Sequence, residues 1–226
     1  MSLHHSLLLL AMTLGVYQVS LRMERIYPTV PAILWTVALL AIILPLAGVT
    51  YAVYAQKTSL LTVVLGPATV ALAVPLYRHR DILQRARKPM LSGIGVGGVV
   101  GMMVSGGLAF LWRSPHWLVN TVIPKAATTP IATGVLHQLG GNVSIGTALT
   151  VMAGLFGAVS GPLLLRLVGV KSPMAEGVAV GTTASGIGTA RMIQESDIKG
   201  SISAVAMALS GIVISVLAPL ISRLWG

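Results

Sequence analysis

The sequence has no cysteine, and that absence removes disulfide bonds, thiolate metal sites and a cysteine nucleophile from the chemistry open to it. Charge is scarce too: 9% of residues are Asp, Glu, Lys or Arg, against about 25% in a soluble domain. With only 5 acidic residues in 226, the chain cannot cover a globule with charged, water-facing surface, so a soluble fold is excluded. Apolar residues fill the deficit, at 55% of the chain and a mean hydropathy of +0.88. This is the composition of an integral membrane protein.

The 15 Lys and Arg residues give a net charge of +10, which in a soluble protein would point to nucleic acid. Here they stand singly or in short loops between apolar runs, where the positive-inside bias of membrane loops accounts for them. Arg78, Arg80, Arg85, Arg87 and Lys88 mark 78–89 as a cytoplasmic loop, and topogenesis alone explains them. The apolar stretch 7–19 has no basic residue before it and no small-residue cleavage site after it, so it is read as a retained first span.

A helix needs about 20 apolar residues to cross about 30 Å of hydrocarbon. Eight segments approach that pattern: 5–21, 31–53, 59–77, 90–112, 117–137, 143–168, 174–192 and 200–222. The third, fifth and seventh contain VVLGPATVALAVPLY (63–77), TVIPKAATTPIATGVLHQLGG (121–141) and MAEGVAVGTTASGIGTARM (174–192), which mix Gly, Pro, Thr and Ser with apolar residues. Pro removes a backbone donor and Gly adds chain entropy, so these runs make poor continuous helices. Irregular backbone survives in lipid only where protein buries it or where it lines a wet cavity. The expectation is therefore an all-α bundle with three broken or re-entrant helices in its interior.

The remaining segments read as scaffold. Gly93, Gly97, Gly101 and Ser105 recur at four-residue spacing in the fourth, and Gly157 with Gly161 marks the sixth, so helix backbones can approach closely there. A shift near 115 residues lays segments one to four over five to eight and 65–75 over 180–190. That pattern suggests one transmembrane domain of two similar halves, 1–112 and 117–226, with segments three and seven meeting near the midplane. Whether the halves are parallel or inverted stays open.

Enzyme chemistry finds no foothold. The pairs Ser105-Gly106, Ser160-Gly161, Ser185-Gly186 and Ser210-Gly211 all lack the Gly two positions before the Ser that an intramembrane serine protease requires. His4, His5, His79, His116 and His137 show no metal-ligand spacing, and no carboxylate pair suits hydrolysis. No catalytic residue, metal or cofactor is expected.

The informative charges lie beside the breaks. Lys125 stands between Pro124 and Pro130 in IPKAATTP, and Arg191 closes GTTASGIGTAR. A cation beside a broken intramembrane helix is a functional-site hypothesis by default, and half-helix N-termini add dipoles that favour anions. Thr128, Thr129, Thr182, Thr183, Ser185 and Thr189 supply hydroxyl donors, so the implied ligand is a small anion, with a carboxylate the best fit. The bland alternative is that both cations snorkel to the interface and the hydroxyls cap helices. Glu176 follows Ser172 as N-cap and Pro173 at the first helical position, where it would complement the dipole. The alternative role for Glu176 is a protonatable group that couples proton movement to substrate.

At PKAATTPIATGV (124–135), GPLLLRLVGVKSPMAEGVAVGTTASGIGTAR (161–191) and LGPATVALAVPLY (65–77) the chain resembles the LrgB/CidB family of bacterial membrane proteins. The motifs occur in family order, and the resemblance runs from about the second segment to the C-terminus. It maps Pro124, Lys125, Thr128, Thr129 and Pro130 onto the family's PKxxTTP motif. It maps Gly181, Thr182, Gly186, Gly188, Thr189, Ala190 and Arg191 onto the Gly-Thr-rich motif. Many members carry Ser-His where this chain has Ala184-Ser185; if that His supports proton coupling in relatives, the coupling here must differ or use Glu176.

The resemblance implies the bacterial cytoplasmic (inner) membrane and one of two functions. Relatives of one half of the plastid glycolate/glycerate translocator, some linked to pyruvate uptake, imply transport of small monocarboxylates. Others imply an antiholin-like regulator of murein hydrolase activity and autolysis, acting beside a holin-like LrgA/CidA-type partner. Three polar breaks in apolar segments favour transport, since lysis control does not require them. A homodimer through the scaffold face is also expected.

Overall fold

The computed structural model describes residues 3–27, 30–61, 63–64, 67, 77, 80–85 and 87–225, and all regular structure among them is helical. The chain folds as two compact units, 1–73 and 74–226.

In the first unit, α1 (Leu3–Ile26) packs against α2 (Ala32–Leu46) and α3 (Tyr51–Lys57). The Thr13 and Tyr54 hydroxyls share a 3.0 Å hydrogen bond. The second apolar segment, expected as one run over 31–53, instead bends by 113° between α2 and α3. Pro45 lies in the last turn of α2, and Gly48 takes φ +67°, a left-handed conformation that costs glycine little. Most of the third segment falls outside the described residues, and with it the expected meeting of 65–75 and 180–190.

The second unit contains α4 (Arg80–Arg85), α5 (Arg87–Leu111), α6 (His116–Val122), a 3-10 turn (Ile123–Ala126), α7 (Thr129–Leu139), α8 (Val143–Leu167), α9 (Pro173–Glu195) and α10 (Asp197–Ser222). Among the described residues, His5–Ile26, α5, α8 and α10 are long and apolar enough to cross a membrane, and the bent α2–α3 pair would make a fifth. Large apolar side chains such as Val96, Val100, Met152, Phe156 and Leu163 project outward from α5 and α8, as in helices bathed in lipid. The core is built instead from small or compact residues, with Met102, Ile123, Ala127, Ala132, Ile214 and Ala218 at its centre.

The fifth and seventh segments both reverse direction. In the fifth, Asn120 Nδ2 donates to Leu139 O at 2.8 Å, and the Asn142 N–H donates to Thr121 Oγ1 at 2.8 Å. The end of α6 and the end of α7 are therefore neighbours, so the chain between them, the 3-10 turn included, forms a hairpin.

In the seventh segment, Ser185 has φ 49° and ψ −136°, which divides α9 into halves 173–184 and 186–195. A Cβ on Gly188 would lie 3.2 Å from Val180 O. In a straight helix, residues eight apart are separated by about 12 Å along the axis. The second half thus folds back on the first.

The two hairpins enter from opposite ends of α10. At its start, Lys199 Nζ donates to Glu176 Oε2 at 2.5 Å and to Glu195 Oε2 at 3.2 Å, tying both ends of the α9 hairpin together. At its far end, Ser222 Oγ donates to Asn120 Oδ1 at 2.6 Å at the base of the other hairpin.

Candidate functional site

The hairpin tips come together about halfway along α10. Ser210 Oγ reaches Thr182 O at 3.4 Å, and a Cβ on Gly186 would lie 3.8 Å from Met207 Sδ, so the α9 tip stands at the level of 207–210. Ile131 of the other hairpin packs against Gly211, and the 3-10 turn touches α9. Position 210 is 13 residues from Asp197, or about 20 Å along a helix about 39 Å long.

Small residues allow this convergence. A Cβ on Gly181 would meet Ala206 Cβ and Ser203 Cα at 2.9 Å, which fixes a close crossing of α9 on α10. Gly154 and Gly157 of α8 press against Ala184, and Gly97 of α5 faces Thr182, so three helices close around the α9 tip. Within the glycine stripe of α5, Gly93 and Gly97 face α9, while a side chain at Gly101 would meet open space.

The tip holds unsatisfied polar atoms. Thr182 and Ser185 are buried, at 3% and 6% exposed, and neither Thr182 Oγ1 nor Ser185 Oγ has a hydrogen-bond partner among the described residues. A buried hydroxyl without a partner costs about 1–3 kcal/mol, so two of them three residues apart are conspicuous. Ser185 also lies near the first central position of a type II′ turn, which glycine normally fills. Its return half starts there, so the positive end of that half-helix dipole faces the same turn.

The opposing hairpin adds Lys125, half-buried in the 3-10 turn and without an ion pair to any described residue. Thr128 occupies the N-cap position of α7 but makes no side-chain capping bond, and the Thr129 hydroxyl likewise donates to no described residue. Pro130 follows at the second helical position, exposed, where its missing N–H leaves no bond unmade.

The other candidates separate from the tip. Thr183 is exposed and donates to Ala179 O at 2.7 Å. Thr189 is buried and shares a 2.9 Å hydrogen bond with Ser203, holding the return half to α10. Gly188 is buried inside the hairpin, where it lets the two halves touch. Arg191, six residues beyond the turn, pairs with Glu195 at 3.4 Å. Glu176 is buried, and Ser172 makes no side-chain cap, so this carboxylate serves an ion pair with Lys199 across helices.

Lys199 was not among the sequence candidates. Its spacing of four from Glu195 is a readable helical pair, but its pairing with Glu176 across 23 residues exists only because α9 doubles back. Buried Ser203 and Ser210 were missed for the same reason, since each finds its partner on another helix. Among the described residues no group of three or more His, Asp or Glu could hold a metal ion.

Apolar spanning helices and two opposed hairpins define a helical membrane protein with a polar break at its centre. The LrgB-like family matches residues 13–224, and the chain belongs to that family. A Bacillus subtilis (strain 168) protein, "Uncharacterized protein YwbG", is 33% identical over 91% of both chains. A Haemophilus influenzae "Uncharacterized protein" is 36% identical over 84% of this chain and 82% of its own. The Bacillus subtilis "Uncharacterized protein YxaC" is 28% identical over 96% of this chain and 95% of its own. No solved structure matches the chain significantly.

Proposed function

We propose that the protein is a multi-pass transporter of the bacterial cytoplasmic membrane that moves small monocarboxylates of the glycolate, glycerate or pyruvate class by alternating access at the two hairpin tips. The observation that carries this reading is the pair of orphan hydroxyls, Thr182 Oγ1 and Ser185 Oγ, buried at the bend of a re-entrant helix. In lipid such groups are costly unless a ligand or water completes them. A carboxylate suits them, because it accepts hydrogen bonds only and is stabilised by the half-helix dipole and by an unpaired Lys125.

Lys125, Thr128, Thr129, Thr182 and Ser185 are assigned to the ligand, with Gly181, Gly186 and Gly188 allowing the backbones to approach. Lys199, Glu176, Glu195 and Arg191 hold the hairpin's base, and Glu176 is the group through which protons could be coupled. The role is transport and not catalysis, and two copies associate through outward apolar faces. The family's lysis-control role calls for neither opposed hairpins nor orphan hydroxyls, so transport is preferred; an LrgA/CidA-type partner is not needed for it.

Purified protein in liposomes, without any second protein, is expected to take up labelled glycolate or pyruvate with saturable kinetics. Folded protein that moves neither, while Ser185→Ala and the unaltered chain behave alike, would overturn the assignment.

A further inference from the structure

Between α5 and the first half of α9 runs a cleft of about 460 Å³. Pro89, Met90, Gly93 and Gly97 form one wall, and Ala175, Val178, Ala179 and Thr182 lie on the other. These positions recur every three to four residues, so each wall is one face of a helix. The cleft therefore extends about 12 Å along α5, from Pro89 to Gly97.

Its two ends differ chemically. At the inner end Gly97 stands beside Thr182, where a Cβ would lie 3.2 Å from Thr182 Cγ2, and Thr182 carries one of the orphan hydroxyls. At the outer end the lining residues Pro89 and Ser172 directly follow Lys88 and Lys171, both exposed. Among the described residues no acidic side chain lines the cleft. Cations at the mouth raise the local concentration of an anion, and the walls between are mainly apolar, with hydroxyls at Ser172, Thr182 and Thr183, so they offer few bonds that would hold it on the way. Gly93 and Gly97 mark the closest approach of α5 to α9, where a Cβ would lie 3.4 Å from Val178 Cγ1 and 3.2 Å from Thr182 Cγ2, so a methyl at 93 is accommodated but a branched side chain would push into the cleft.

We propose that this cleft is the aqueous passage by which a small organic anion reaches the α9 tip from the Lys88 and Lys171 end, with Gly93 and Gly97 setting its bore. The inference rests on the transport reading for the identity of its cargo, but it has a readout of its own.

Because the sequence lacks cysteine, a single introduced thiol reports water access against a silent background. Ala179→Cys on the cleft wall and Phe156→Cys on the outward face of α8 are reconstituted in lipid nanodiscs and exposed to a negatively charged, membrane-impermeant methanethiosulfonate. Ala179→Cys is expected to react at least tenfold faster than Phe156→Cys and to be protected by pyruvate. In liposomes, Gly93→Leu is expected to lower pyruvate uptake at least tenfold while Gly93→Ala retains it, with thermal unfolding confirming that both fold.

Equal, slow reaction at both thiols would show the cleft filled by lipid and would overturn the proposal, as would normal uptake by Gly93→Leu. Fast labelling in a protein that moves no carboxylate would support the water-filled cleft and overturn the transport function instead.

Discussion

Ser185 concentrates the tension between folding and function in one residue. A non-glycine residue at φ 49°, ψ −136° carries about 1–3 kcal/mol of strain, and its buried hydroxyl has no partner among the described residues. Ser185→Gly removes that strain at a cost of about 0.5–1 kcal/mol in extra chain entropy, so the melting temperature in detergent should rise. The same change deletes a hydroxyl that the proposed function assigns to the ligand, so on that reading carboxylate binding should weaken. A variant neither more stable nor weaker in binding would refute the role given to this side chain.

Lys125 is the cation of the other hairpin, half-buried in its 3-10 turn, and the proposed function gives it the charge of the ligand to balance. Removing one partner of a desolvated charge pair costs about 2–5 kcal/mol. Lys125→Ala should thus weaken binding at least tenfold, read from the concentration dependence of uptake. Arg191→Ala should weaken it less, because Arg191 is occupied by Glu195. Unchanged uptake by folded Lys125→Ala protein would reduce the lysine to an interfacial anchor.

At the scale of elements, the breaks were legible and the reversals were not. Pro124, Pro130 and the run from Gly181 to Gly188 announce interrupted helices, because their residue types disfavour continuous α-structure. Nothing local tells a kink from a U-turn. What fixes the U-turn in α9 is distant: Lys199 must find Glu176 and Glu195 together, and Thr189 must find Ser203. The bend between α2 and α3 was missed similarly, since Gly48 is a single residue in an otherwise apolar run.

These contacts carry two tests. Lys199→Met leaves Glu176 buried without its cation and should destabilise by about 3–5 kcal/mol, whereas Lys199→Met with Glu176→Gln should lose less than the sum of the single changes. Additive losses in thermal or denaturant unfolding would mean that the pair is not coupled. Gly181→Val should cost at least about 1–3 kcal/mol, because its side chain would overlap Ser203 and Ala206 and force α9 from α10.

At the scale of the whole molecule, the second unit is a frame of long apolar helices around two short hairpins that stop partway along α10. Composition already required a membrane, and the helices deliver surfaces suited to one. Opposed entry means that a polar break reached from each side meets its counterpart inside, which is the geometry an alternating-access site needs. It also fixes which hairpin ends share a side, and that is open to direct measurement. Single cysteines at Ser172→Cys, Gln194→Cys, His116→Cys and Gln138→Cys, in sealed vesicles of known orientation, can be labelled from one face at a time with an impermeant maleimide. The account predicts that Ser172→Cys and Gln194→Cys label from one face and that His116→Cys and Gln138→Cys both label from the other; Ser172→Cys and Gln194→Cys labelling from opposite faces would make α9 a crossing helix and contradict it.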